Sequence, residues 1–204
     1  MRRYVLAVTL AALVLGTLAA VILRPASAQG NSAVAIPIMN SRFNLDVLAC
    51  SPGYDCYGNA GITGWVCGPN TSIQKMSTAQ YPNAPSTGRT VGSLGNTTGT
   101  GSVLQTLGAT VQANTTYTLA IGVGARADFA FTGYNAALMA GNVTLVSGHK
   151  ATPEGRSFVT EVLVYNSGAA PAQLGQPMQV FVNSLGTGQI NLSGVALTAA
   201  PTIN

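Results

Sequence analysis

The sequence predicts an all-β fold, a sandwich of two packed antiparallel sheets. Three observations carry that expectation. Beyond its first thirty residues, no stretch holds a sustained helical period of apolar residues. Short runs rich in Val, Ile, Leu, Thr and Tyr recur instead between Gly, Asn and Pro. In the clearest run, Thr116 to Gly124, Tyr117, Leu119, Ile121 and Val123 alternate with Thr118, Ala120 and Gly122, one face apolar and the other small. About ten strands in a single layer would leave long open edges, so two layers are the natural solution.

Taken in order, strands are expected over 33–38, 61–67, 72–76, 90–94, 101–107, 116–124, 134–140, 142–147, 157–165, 178–184 and 188–198. Ala140-Gly141-Asn142 reads as a tight hairpin turn, because Gly and Asn tolerate the positive φ that such turns need. In 157–165 both alternating faces are partly apolar, which predicts a central strand covered on both sides. Pro82–Thr100, broken only by the 90–94 strand, and Pro171–Pro177 read as loops.

The N-terminus has the three parts of a secretory signal peptide. Arg2 and Arg3 are followed by an uncharged run from Tyr4 to Leu23 and then by Ala26-Ser27-Ala28. Cleavage is expected after Ala28, leaving residues 29–204 as one extracytoplasmic domain. Retention of the apolar run as a membrane anchor is the alternative, since twenty apolar residues span a bilayer. The segment also holds three of the nine basic residues, so the remainder carries six Lys or Arg against five Asp or Glu. No basic cluster or stripe is left to grip nucleic acid.

Export implies a disulfide-permissive compartment. Cys50, Cys56 and Cys67 fall within eighteen residues, so one staple is expected, Cys50–Cys56 or Cys56–Cys67, with one thiol left over. Metal binding is not expected from them: there is no Cys-x-x-Cys, and His149 stands far away in a polar loop.

The runs GSVLQTLGATVQANTTYTLAIGVGAR (101–126) and GQPMQVFVNSLGTGQINLSGVALTAAP (175–201), with ITGW (62–65), resemble a family of exported bacterial domains. That family is similar to galactose-binding-like jelly rolls and is often found in proteins with a PEP-CTERM sorting tail, which is not seen here. The resemblance implies a jelly roll of the kind used by carbohydrate-binding modules. Jelly rolls of that kind often hold a structural calcium between an acid after the first-strand Phe and an Asp of the last strand. Asn44 and Ser193 stand at those positions, so calcium is not expected, nor any other cofactor.

No nucleophile motif and no obvious carboxylate pair points to catalysis, and no enzyme is expected. Sugar binding needs an exposed aromatic plane with polar groups beside it. Tyr81 and Tyr134 are the candidates for the plane, with Trp65 a further one that also reads as core. Arg126 and Asp128 are candidate hydrogen-bonding partners, or else a plain surface ion pair. The expected function is a non-catalytic glycan- or polysaccharide-binding module at the cell surface or in extracellular matrix. The alternative is a structural surface or filament protein that self-associates.

Overall fold

The structure, a computed structural model, describes residues 32–49, 56–58, 61–84, 89–149, 152–153 and 156–202. The segment read above as a signal peptide and Cys50 lie outside these residues. Twelve strands are present: β1 (Val34–Ile36), β2 (Cys56–Gly58), β3 (Val66–Cys67), β4 (Thr71–Lys75), β5 (Thr90–Leu94), β6 (Ser102–Thr110), β7 (Thr115–Gly124), β8 (Tyr134–Ala140), β9 (Val143–Gly148), β10 (Phe158–Asn166), β11 (Pro177–Ser184) and β12 (Ile190–Pro201). They form the expected antiparallel sandwich. One sheet runs β10-β7-β12-β5-β4-β2, with β1 also on β12, and the other runs β3-β6-β11-β8-β9.

Alternation places the core. Tyr117, Leu119, Ile121 and Val123 of β7 point between the sheets and meet Val103, Leu138, Val180 and Val182 from the opposite sheet. Each fully buried side chain of this size contributes about 1.5–3 kcal/mol. The 140–143 hairpin is tight as expected, with Gly141 at φ 54° and Asn142 at φ 66°, the double positive φ of a type I′ turn.

Three expectations change. The 61–67 run is not one strand: Gly61 and Gly64 take φ of 92° and 84°, Ile62 bridges Trp65 across a turn, and only β3 remains extended. β2, inside the cysteine segment, was masked in the sequence by its turn residues. β10 is an edge strand of its sheet, with Val162 and Val164 half exposed on the outer face. Its second apolar face therefore meets solvent and not another layer.

The most consequential feature is in β12. Its first residues pair with β5 (Leu192 opposite Gly92) and its last with β1 (Leu197 opposite Ile36). Between them the register against β7 slips at Leu192/Gly194, so Ser193 is the extra residue of a β-bulge. The loop 39–44 fills the gap that β5 and β1 leave, its Ser41 carbonyl accepting from the Val195 N–H at 2.8 Å.

Candidate functional site

The outer face of the seven-stranded sheet carries a cavity of about 630 Å³ at the β12 bulge. Its floor is built from the small face of the alternation: Ala120 and Gly122 of β7, Gly194 and Ala196 of β12. No large side chain rises there, so the sheet itself is the floor. Thr160 of β10 and Ser193 of the bulge present hydroxyls, and Ser41, Arg42, Asn44 and Arg89 form the rim.

The rim loop is rigidly seated. Phe43 is fully buried, stacks on Trp65 at 5.6 Å between ring centroids, and lies against Gly92, where an added Cβ would stand 3.1 Å from the ring. Phe43 holds φ at 56°, a conformation a bulky residue adopts only when its surroundings dictate it. Burying that ring turns its neighbours Arg42 and Asn44 outward to the cavity. The Asn40 side chain finishes the loop by donating to Asp46 at 2.8 Å and to the Thr63 carbonyl at 3.0 Å. Asp46 also accepts from the Thr63 hydroxyl at 2.6 Å, so the only acid of this loop is spent on structure.

Beside the cavity, one strand-repeat along the same face, lies a buried polar network. Tyr81 is 1% exposed, its ring stacked on Phe158 at 4.6 Å and its hydroxyl donating to Asn191. Asn191 donates to Gln74 at 3.2 Å, and Gln74 to Gln80 at 3.2 Å. Burial pushes the Tyr81 hydroxyl far above the ordinary phenol range, so it stays a donor at any physiological pH. Arg126, 7% exposed, grips Asp128 with two hydrogen bonds of 2.9 and 2.7 Å and donates to Gln189 at 2.6 Å. The guanidinium beside Asp128 holds that carboxyl below its usual range.

The sequence candidates therefore separate. Tyr81, Arg126 and Asp128 do come together, yet Tyr81 is buried and Arg126 is committed to its neighbours, so neither offers a sugar-stacking or ligand surface. Tyr134, expected to be exposed, is 1% exposed and faces the interior, where its hydroxyl donates to Glu161 of β10. Trp65 is core, as its alternative reading had it. Cys67 is a free thiol that donates to the Trp65 carbonyl at 3.8 Å. The Cys56–Cys67 staple is therefore not formed, and the other pairing rests on Cys50, outside the described residues. Burial pushes the Cys67 thiol up from its ordinary range. His149 is exposed, as a polar loop predicts.

Asn44 and Ser193, named in the sequence as stand-ins for calcium-binding acids, do meet at this cavity. The donor set does not fit the ion. Calcium takes six to eight hard oxygens, usually with carboxylates among them. Here the described lining has no carboxylate and two guanidinium groups, and no cluster of three His, Cys, Asp or Glu is found among the described residues.

Sequence reasoning missed Arg42, Arg89, Thr160 and the small-residue floor. A signal was present: Asn191-Leu192-Ser193-Gly194 interrupts the apolar alternation of the last strand with a polar and a flexible residue, the mark of a bulge.

The sequence profile of the HpiC1-like family, described as HpiC1 cyclase, matches residues 34–198, the whole sandwich from β1 to β12. This chain belongs to the HpiC1 cyclase family. Solved structures agree on the fold. An apo cyclase from Fischerella sp. superposes with a TM-score of 0.72 at 23% identity, covering 85% of this chain and 99% of that one. A Stig cyclase from Fischerella sp. TAU, in complex with (3Z)-3-(1-methyl-2-pyrrolidinylidene)-3H-indole, gives 0.71 at 24%, covering 84% and 100%. A cyclase from the same organism in complex with 4-(1H-indol-3-yl)butan-2-one gives 0.70 at 24%, with the same coverage. No curated protein matches the sequence.

Membership of the HpiC1 cyclase family corrects the expectations drawn from resemblance. The family is not the galactose-binding-like one often found with PEP-CTERM tails. The runs that carried that likeness are β6–β7 and β11–β12, paired sandwich strands whose pattern reports architecture and not ligand. The expectation of a non-catalytic surface or matrix module falls with it, as do the glycan partner, the structural-filament alternative and the expected lack of enzymatic activity.

Proposed function

We propose that this chain is an exported cyclase that closes a ring in a small organic substrate held at the β12 bulge. The observation that carries the assignment to this place is the cavity itself. Family membership supplies the reaction class, and the cavity supplies a volume within the 300–1,000 Å³ range of small-molecule sites. The Arg2-Arg3 start, the apolar run and Ala26-Ser27-Ala28 support export.

Ring closure is intramolecular, so much of its barrier is the entropy of bringing two ends of one molecule together. A flat floor of Ala120, Gly122, Gly194 and Ala196 lets a planar group lie against the sheet, and the rim restricts how its chain folds back. Among the described residues, the side chains of Thr160, Ser193, Asn44, Arg42 and Arg89 make no hydrogen bond or ion pair with the protein. They are free to meet charge that develops on the substrate. A second depression of about 520 Å³ near Asn70, Asn96 and Gln189 lacks this property, since Asn96 donates to Asn70 at 3.0 Å and Gln189 is held by Arg126.

The Fischerella protein seen with 4-(1H-indol-3-yl)butan-2-one suggests the probe. We expect that ketone to bind the residue 29–204 protein and to perturb the amides of Ala120, Gly122 and Gly194 in NMR spectra. Unsaturated linear indoles should give isomeric products, equal in mass and different in retention, because closure turns a π bond into a ring σ bond. Ala120→Trp, which fills the floor from its outer face, should abolish both. Turnover that survives Ala120→Trp would place the site elsewhere, and no turnover of any linear indole by the wild type would reject this substrate class.

A further inference from the structure

We infer that the cavity at the β12 bulge selects a substrate bearing an oxyanion, a carboxylate or a phosphate. The inference rests on the cavity being the substrate site and names what that site recognises. Arg42 and Arg89 reach it from two separate elements, the 39–44 loop and the residue before β5. Neither is paired with an acid among the described residues, in contrast to Arg126, which is held by Asp128. The described lining contains no carboxylate that would neutralise them. The acid closest in sequence, Asp46, is turned to Thr63 and Asn40 and accepts three hydrogen bonds or more there.

Geometry supports the same conclusion. Arg42 is fixed at its root by the buried ring of Phe43 and by the Val195 N–H to Ser41 carbonyl bond, so its position does not depend on loop ordering at the moment of binding. The Ser193 hydroxyl stands on the bulge in the same lining, with nothing of the described protein bonded to it. Two guanidiniums and a hydroxyl are donors, and an oxyanion is the acceptor that satisfies them together, through charge-assisted bonds shorter and stronger than neutral ones. A neutral ketone accepts at most two hydrogen bonds and leaves the positive charge of the rim uncompensated.

The test compares isosteres. 3-(1H-indol-3-yl)propanoate differs from 4-(1H-indol-3-yl)butan-2-one by an oxygen in place of a methyl group, and 2-(1H-indol-3-yl)ethyl phosphate supplies the phosphate form. By calorimetry on wild type, at least one anion should bind about tenfold or more tightly than the ketone, and the advantage should shrink as salt rises from 0.05 to 0.5 M. In R42Q/R89Q it should vanish, the anion then binding no more tightly than the ketone does to the same variant. Both residues are exposed, and an unaltered melting curve confirms the fold. Equal affinities, or an advantage that survives R42Q/R89Q, would overturn the inference. A separate arm uses inorganic phosphate alone. Shifts of the Gly122 and Gly194 amides in wild type, absent in R42Q/R89Q, support the anion site even if no indole binds and the cyclase reading fails. No such shifts, with or without indole binding, reject it.

Discussion

The Tyr134 hydroxyl donates to the Glu161 carboxylate across the interior of the sandwich, joining β8 of one sheet to β10 of the other. Glu161 is 3% exposed and stands in the inward row of β10, opposite Ile121 of β7. A carboxylate so placed is costly unless hydrogen-bonded, so the pair specifies how the sheets meet as much as it stabilises them.

Tyr134→Phe is therefore expected to lower stability by about 1–3 kcal/mol, because it strips a donor from a buried carboxylate. Glu161→Gln keeps the volume and a carbonyl acceptor and should cost less. Urea midpoints at constant slope would show this ordering. Equal midpoints for wild type and Tyr134→Phe would mean that the carboxylate is satisfied without the tyrosine.

The expectation that Tyr134 lies exposed failed for a definite reason. It follows Gly133, with φ at 81°, and begins a strand whose inward row, Tyr134, Ala136, Leu138 and Ala140, alternates large with small. Small inward residues leave room for a large ring, and the polar handle is met by an acid twenty-seven positions away. Local pattern shows β7 and the 140–143 hairpin because those depend on neighbours in sequence. It does not show the Tyr134–Glu161 or Tyr81–Asn191 pairs, nor a cavity assembled from residues 41–44, 89, 120–122, 160 and 193–196, since these meet only through sheet order. Ser193 was legible as an oddity and became meaningful only as a bulge.

The Arg126–Asp128 pair gives a pH dependence whose sign is fixed. The guanidinium lowers the Asp128 carboxyl in the folded state, so the unfolded chain binds its proton first as pH falls. The pair's contribution is present in full above the unfolded carboxyl range, near pH 4, and is lost as pH drops through the lower folded value. The Asp128 side chain is 51% exposed, so the contribution is small, about 1 kcal/mol or less. Asp128→Asn should thus be slightly less stable than wild type at pH 7, and the two should converge as pH falls through the lowered folded-state value. Arg126→Gln should cost more at pH 7, because it also abandons Gln189. A gap between wild type and Asp128→Asn that widens on acidification would contradict this assignment.

Gly124 supports the wall of Tyr81 and Phe158 beside the cavity. Its backbone is extended, so alanine meets no conformational penalty there, and any cost must be steric. An added Cβ would overlap the Phe158 ring, with Cδ1 and Cζ both at 2.7 Å, and that ring is stacked on Tyr81. The ring must therefore leave the stack or the strands must part, at about 1–3 kcal/mol. Gly124→Ala should lower the melting temperature, and Phe158→Leu alone should also destabilise. The double variant should lose less than the two combined, since the smaller side chain yields the space that the methyl takes. Such positive coupling distinguishes a local clash from a general weakening of β7. Additive losses would show that Gly124 is needed for something other than the Phe158 ring.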